Sequence, residues 1–132
     1  MKNINYLKKQ LSIMINLFET KRFNELINKG EVLIKKFPEQ AILYNLTSLA
    51  YGATGKSTES KELLLKILKK QPKNFFVLNN LGLACAELND YKQAEEFYNR
   101  AIILNSAFPD ALVNLGNLKT RQNKNDEAKD LF

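Results

Sequence analysis

The sequence predicts an all-α protein, a helical-repeat solenoid of antiparallel helix pairs, and three observations carry that prediction. First, Leu78, Leu81, Gly82 and Cys85 fall at i, i+3, i+4 and i+7, one face of a helix, and Ala94, Phe97, Tyr98, Ala101, Ile102 and Leu104 form a second stripe. Leu88, Asn89 and Asp90 supply the break between them. Second, two helices this short cannot bury such stripes alone, and the same pattern returns 34 residues before and after. Third, breakers are scarce: the 132 residues include 3 Pro and 5 Gly, most of them at unit boundaries or close-packing points.

Residues 1–6 are a short lead-in to the first helix. In the first unit, 7–40, one helix is expected to end near Glu19 and its partner to span roughly Phe23 to Lys36, with Pro38 as a stop. Met14 and Leu26 stand where the two helices cross, so this divergent unit should pack wider or serve as a degenerate cap. The second unit, 41–74, has Ser48 and Ser60 at the crossing and a TGKS turn in which Gly55 takes a left-handed conformation. Its second helix, from about Thr58 to Lys70, presents Leu63, Leu64, Ile67 and Leu68 and ends before Pro72. The third unit, 75–108, has Gly82 and Ala94 at the crossing. A partial fourth, 109–132, opens on Pro109, a favourable first helical residue, and places Gly116 and Ala128 at the crossing.

The motif Leu78-x-x-Leu81-Gly82-x-x-Cys85, followed by Ala94-x-x-x-Tyr98, resembles the tetratricopeptide repeat, a helix-turn-helix unit of 34 residues. One period on stand Leu112, Leu115 and Gly116, then Ala128 and Phe132. One period back stand Tyr44, Thr47, Ser48 and Tyr51, and two periods back Gln10, Ile13, Met14 and Leu17. The register holds without insertion from Leu7 to the C-terminus. The resemblance implies a right-handed superhelix of three full repeats and a partial fourth, in which the first helix of each repeat lines a concave groove that binds a peptide or partner protein.

Within that groove the resemblance points to Asn80 and Asn114, one residue before each Leu-Gly pair, with Asn79 and Asn117 nearby. An asparagine side chain both donates and accepts, so it can pair with a peptide amide of any sequence. The arrangement resembles the asparagine ladder of the O-linked N-acetylglucosamine transferase family, although Ser12 and Leu46 replace it in the first two units. A second mode of the family, the carboxylate clamp for chaperone C-termini, fits poorly. Asn45 and Leu49 stand where Lys and Asn are needed, Asn80 matches, and Asp110 and Asn114 replace the final cations.

Most chemistry is excluded. Cys85 is the single Cys and there is no His, so an internal disulfide, a Cys/His zinc site and His-based nucleophilic catalysis are absent. Cys85 itself reads as a small buried hydrophobe. Ala50-Tyr-Gly-Ala-Thr-Gly-Lys-Ser57 resembles the tail of a phosphate-binding loop, but Ala50 replaces the leading Gly and the preceding segment is helical. The neighbouring carboxylates Glu95 and Glu96 point in different directions on a helix and read as solvated surface. No cofactor and no metal are expected.

Charge is uneven. Residues 1–74 hold 14 Lys or Arg and 6 Asp or Glu, a balance of +8, whereas residues 75–132 hold 6 and 8, a balance of −2. The lysines (Lys8, Lys9, Lys35, Lys36, Lys66, Lys69, Lys70 and Lys73) lie on different helices without the aromatic ladder of single-strand binders, so a solvated face is expected and nucleic-acid binding is not. No apolar run approaches the roughly 20 residues of a membrane span, and MKNINYLKKQ lacks the core of a secretory signal, which makes a cytoplasmic location the expectation.

The chain ends at Phe132, inside the fourth period. From that, either a piece of a longer protein or an isolated repeat module whose end meets another chain is expected. Without a polar capping helix, an edge of Leu115, Leu118, Leu131 and Phe132 should be partly exposed and prone to self-association. Two functions fit: a non-catalytic scaffold that binds a partner in its groove, or the N-terminal recruitment region of a larger modifying enzyme such as a glycosyltransferase.

Overall fold

The computed structural model describes residues 2–130. They form α1 (Lys2–Glu19), α2 (Phe23–Lys36), α3 (Ala41–Ala53), α4 (Ser57–Lys70), α5 (Phe75–Glu87), α6 (Tyr91–Leu104) and α7 (Pro109–Asp130). Each helix packs on its neighbour in sequence, and α3 also packs on α1 and α5, and α5 on α7. That pattern is a stack of antiparallel pairs with alternate helices in register, an all-α solenoid.

The turns explain the regularity. Lys21, Gly55 and Asn89 have positive φ values of 59°, 79° and 64°, and they stand 34 residues apart. Each turn within a pair therefore needs one left-handed residue. Gly55 adopts it freely, Asn89 tolerates it, and Lys21 holds it against a steric penalty on the order of 1 kcal/mol. Asn74 and Asp90 cap α5 and α6, each side chain accepting from a backbone N–H at 3.2 Å, from Val77 and Gln93 respectively.

Two apolar cores are stacked along the solenoid. Met14, Leu17, Leu26, Ile27, Leu33, Leu43 and Ala50 fill the first. The second runs from Tyr44 through Leu64, Leu78, Leu81 and Tyr98 to Phe108 and Leu118. Helix α3 contributes to both, so it joins them. Residue by residue, Met14, Leu26, Ser48 and Ser60 are all buried at their crossings, as the spacing predicts.

Close packing departs from the sequence reading in three places. At Gly82 the space is taken by the Tyr98 ring rather than by Ala94: a Cβ added there would lie 2.5 Å from Tyr98 Cδ1. Tyr98 stands one turn beyond Ala94 and reaches back over it. A second close approach, unforeseen, joins neighbouring pairs: a Cβ on Gly30 would lie 3.0 Å from Thr47 Cβ. Finally, Gly116 and Ala128 do not face each other, because both lie on the unbroken helix α7, and nothing approaches within 4 Å of a Cβ added at Gly116. No Gly or Pro follows Gly116 in α7 to interrupt its backbone hydrogen bonds.

Helix α7 also changes the expected edge. It lays Ala111 and Leu118 against the second core and turns a largely polar surface outward, the property of a solenoid cap. Leu118 is buried and Leu115 packs against the core, while Leu112 and Val113 are exposed large hydrophobic residues of this helix. Leu131 and Phe132 lie outside the described residues.

Burial fixes a pH response. Desolvation, then a 2.7 Å hydrogen bond to Glu31, pushes the Tyr51 hydroxyl up to about 12, and desolvation raises that of Tyr98 further. Unfolded tyrosine loses its proton near pH ~10. Above that pH the unfolded chain releases protons that the folded chain retains, so stability is fully present below it and declines as pH rises through about 12. Urea midpoints measured at pH 9, 10 and 11 should fall across the series, and Tyr51→Phe should flatten the fall.

Candidate functional site

Helices α3, α5 and α7 line one face of the stack, and their sequences decide its character. AILYNLTSLAYGA of α3 contains no charged residue, and FFVLNNLGLACAE of α5 contains only Glu87. None of the 20 Lys and Arg residues is on either helix. The eight lysines singled out in the basic half lie on α1, α2, α4 and the loop after α4, all exposed, with Lys70 paired to Glu39 at 2.8 Å.

Two cavities lie end to end between α3 and α5. The one at their N-terminal ends, about 400 Å³, is bounded by Ile42, Leu46, Phe76, Phe108 and Asp110. The other, at their C-terminal ends, measures about 230 Å³ and lies among Ser48, Gly52, Ser60, Ala84 and Glu87. Leu49 and Asn80 belong to both. The result is one apolar furrow parallel to the helix axes, with a carboxylate at each end and, among the described residues, no cation in its walls. Phe75, Phe76 and Phe108 pack ring against ring at 4.5 to 5.3 Å at the N-terminal end, which holds Phe76 half exposed over the cavity.

A second, more polar furrow of about 180 Å³ separates α5 from α7 and is bounded by Leu83, Glu87, Asn114, Asn117 and Arg121. Arg121 Nη1 donates to the Ala86 carbonyl at 3.0 Å and Nη2 to Glu87 Oε1 at 3.5 Å. The cation lining this furrow is thereby engaged.

The four asparagines singled out from sequence all reach this face, but three of them are drawn into pairs. Asn80 Nδ2 donates to Asn45 Oδ1 at 3.0 Å, and Asn114 Nδ2 donates to Asn79 Oδ1 at 3.0 Å. The two bonds are equivalent, each spanning 35 residues, and they tie α3 to α5 and α5 to α7. Asn79 is buried; Asn117 is exposed on the rim of the second furrow. Each bond is worth about 1 kcal/mol. Asn80→Ala with Asn114→Ala should therefore lower stability by roughly 2 kcal/mol, readable by chemical denaturation, rather than leave it untouched.

Ile42, Phe76, Leu83, Glu87 and Arg121 escaped the sequence reading. Helical arithmetic would have found them: Phe76, Leu83 and Glu87 lie at −4, +3 and +7 from Asn80, Arg121 at +7 from Asn114, and Ile42 at −3 from Asn45. Other features carry no site. Cys85 is buried, and desolvation pushes its thiol up, the opposite of an activated nucleophile. Among the described residues no cluster of His, Cys, Asp or Glu is arranged to hold a metal, and no helix is long and apolar enough to cross a membrane.

Residues 75–108 match the tetratricopeptide repeat family. The chain is 28% identical over 94 residues to the uncharacterized protein ycf37 of Pyropia yezoensis, an alignment covering 64% of this chain and 53% of that protein, so it spans about half of that relative's length. Its fold superposes on the Sgt2 TPR domain from Aspergillus fumigatus with a TM-score of 0.82 at 22% identity, covering 91% of this chain and 81% of that domain. It also superposes on the first TPR of Spaghetti (RPAP3) bound to the HSP90 peptide SRMEEVD, with a TM-score of 0.78 at 16% identity and coverage of 87% and 94%. The chain has the tetratricopeptide-repeat fold and carries, at residues 75–108, a repeat of that family.

Proposed function

We propose that this chain is a non-catalytic interaction module that binds a peptide or a segment of a partner protein in the furrow of α3, α5 and α7. The observation that supports this reading most strongly is the apolar furrow itself, with Ile42 and Phe76 presented to solvent beside a rigid aromatic cluster. A neighbour of the same fold holds a peptide, which adds weight to a concave-face site. The asparagines enter this reading as supports: the Asn45–Asn80 and Asn79–Asn114 pairs fix the spacing of the helices, with Asn117 at the rim. The likeness to the transferase family rests on Asn80 and Asn114 alone, both of which are engaged within the chain.

The acidic C-terminal peptide of that neighbour is not the ligand this furrow suits. A terminal carboxylate needs cations, and the walls offer Glu87 and Asp110 instead. Selection of binders from a random peptide library on the wild-type chain, followed by titration of variants, tests the site. Phe76→Ala with Ile42→Ala should weaken the selected peptides by at least about tenfold, because two partly exposed anchors are removed. Lys69→Glu with Lys70→Glu should leave them unchanged. The opposite pattern would move the site to the lysine-bearing face of α4.

A further inference from the structure

The furrow's shape, its polar groups and its charge together specify a class of ligand, an inference that rests on the groove reading above. From Ile42 to Gly52 the furrow runs along three turns of α3, about 15 Å at 1.5 Å per residue. It lies lengthwise between two helices, the site into which a third helix packs its ridge. Part of the polar capacity along it is spent within the chain. Asn80 Nδ2 donates to Asn45 Oδ1 at 3.0 Å, and Ser48 Oγ donates to the Asn45 carbonyl at 2.9 Å. Asn79 Oδ1 accepts from Asn114.

What remains, chiefly Asn45 Nδ2, Asn80 Oδ1 and the hydroxyls of Ser57 and Ser60, is too little along mainly apolar walls to pair the successive backbone N–H and C=O groups of an extended peptide, whereas a helix satisfies its own. Charge adds a second constraint. Asp110 and Glu87 stand at opposite ends, Asp110 without a salt bridge among the described residues and Glu87 sharing Arg121 of the neighbouring furrow at 3.5 Å, and, among the described residues, no Lys or Arg lines either cavity, on a chain whose net charge is +6. The furrow is thus an apolar, cation-free channel with carboxylates at its ends on a chain of net positive charge. We propose that it binds a basic amphipathic helix, a segment of about ten residues or more with aliphatic or aromatic anchors at i, i+3 or i+4 and i+7, and with Lys or Arg flanking them toward Asp110 and Glu87.

Four labelled synthetic peptides test this by fluorescence anisotropy on the full chain. One is a helix of about 16 residues with a Leu stripe and Lys elsewhere; the second replaces its Lys with Glu; the third carries two central Pro residues in the Leu/Lys sequence; the fourth is SRMEEVD. Long-range attraction to a chain of charge +6 favours the Glu peptide, so a preference for the Lys helix runs against the net charge and points to a local site, which the charge-altered variant below tests. The Leu/Lys helix should bind at least about tenfold more tightly than each of the other three. Asp110→Lys with Glu87→Gln should erase its advantage over the Glu helix, and circular dichroism would verify that the variant is folded.

If the Glu helix, the Pro peptide or SRMEEVD binds as tightly or more tightly and loses affinity on Phe76→Ala, the groove reading stands and the basic-helix inference falls. If no peptide responds to Phe76→Ala, both fall.

Discussion

Gly82→Leu is expected to destabilise the chain by about 3 kcal/mol or more, at or beyond the upper end of ordinary overpacking. Even the first atom of a side chain at this position meets the ring of Tyr98, and Tyr98 is buried within the second core, so the ring must leave its place and shift toward the α5–α7 furrow that it borders. Domain stabilities are roughly 5–15 kcal/mol, so the loss is a large share of the whole and should lower the thermal midpoint by on the order of 10 °C. Gly116 provides the contrast. It occupies the equivalent sequence position one period on, yet an added Cβ there meets nothing within 4 Å. Gly116→Ala should therefore stabilise by about 0.5 to 1 kcal/mol, the ordinary gain of replacing glycine within a helix. A thermal melt of the two variants beside the wild type reads both signs, and equal losses would refute the packing assigned to Tyr98.

Tyr98→Ala is the second large effect, expected to cost about 3 to 5 kcal/mol, the range for removing a buried aromatic side chain. Its ring fills the space over Gly82 and shares the core with Leu78, Leu81 and Cys85. The two substitutions are coupled because they contest one volume. In the double variant, the leucine introduced in place of Gly82 would occupy part of the cavity left by the Tyr98 ring, so the combined loss should be smaller than the two added together. Urea denaturation of the four proteins in that cycle measures the coupling; strict additivity would show that the two side chains do not meet.

Much of the architecture was legible because it depends on patterns that repeat. Apolar spacing and helix stops placed both ends of α2 and α4 and the end of α1 to within a residue, although α1 begins at Lys2 inside the expected lead-in, and the glycine of the TGKS turn correctly implied a left-handed residue at Gly55. Where each pattern stopped repeating, the reading failed. The fourth unit keeps Gly116 but loses its turn, since nothing in the remaining sequence of α7 interrupts a helix. The partner of Gly82 was missed because a tyrosine is long: spacing locates its Cα, while the ring reaches a turn away to fill space that a count of residues assigns to Ala94.

The candidate site was legible only in part, for a related reason. Asn80 and Asn114 stood out in the sequence because their type is versatile, but whether an amide is free depends on what lies across the next helix. Asn45 and Asn79 are there, 35 residues away, in positions that a period of 34 does not bring into register. The furrow's apolar walls were hidden for the opposite reason. Ile42, Leu49, Phe76 and Leu83 look like further core residues in sequence, and only the stacking of α3 beside α5 leaves a channel between them.

The central claim is that the face formed by α3, α5 and α7 is where this chain meets its partner. The most direct test is an amide-shift titration of the isotopically labelled chain with the Leu/Lys helical peptide, followed by nuclear magnetic resonance. The account predicts that the largest shifts cluster at Ile42, Leu49, Phe76, Leu83 and Glu87, with Lys35, Lys66 and Lys69 nearly unmoved. Shifts concentrated on the lysine-bearing surfaces of α2 and α4, with α3 and α5 silent, would contradict it.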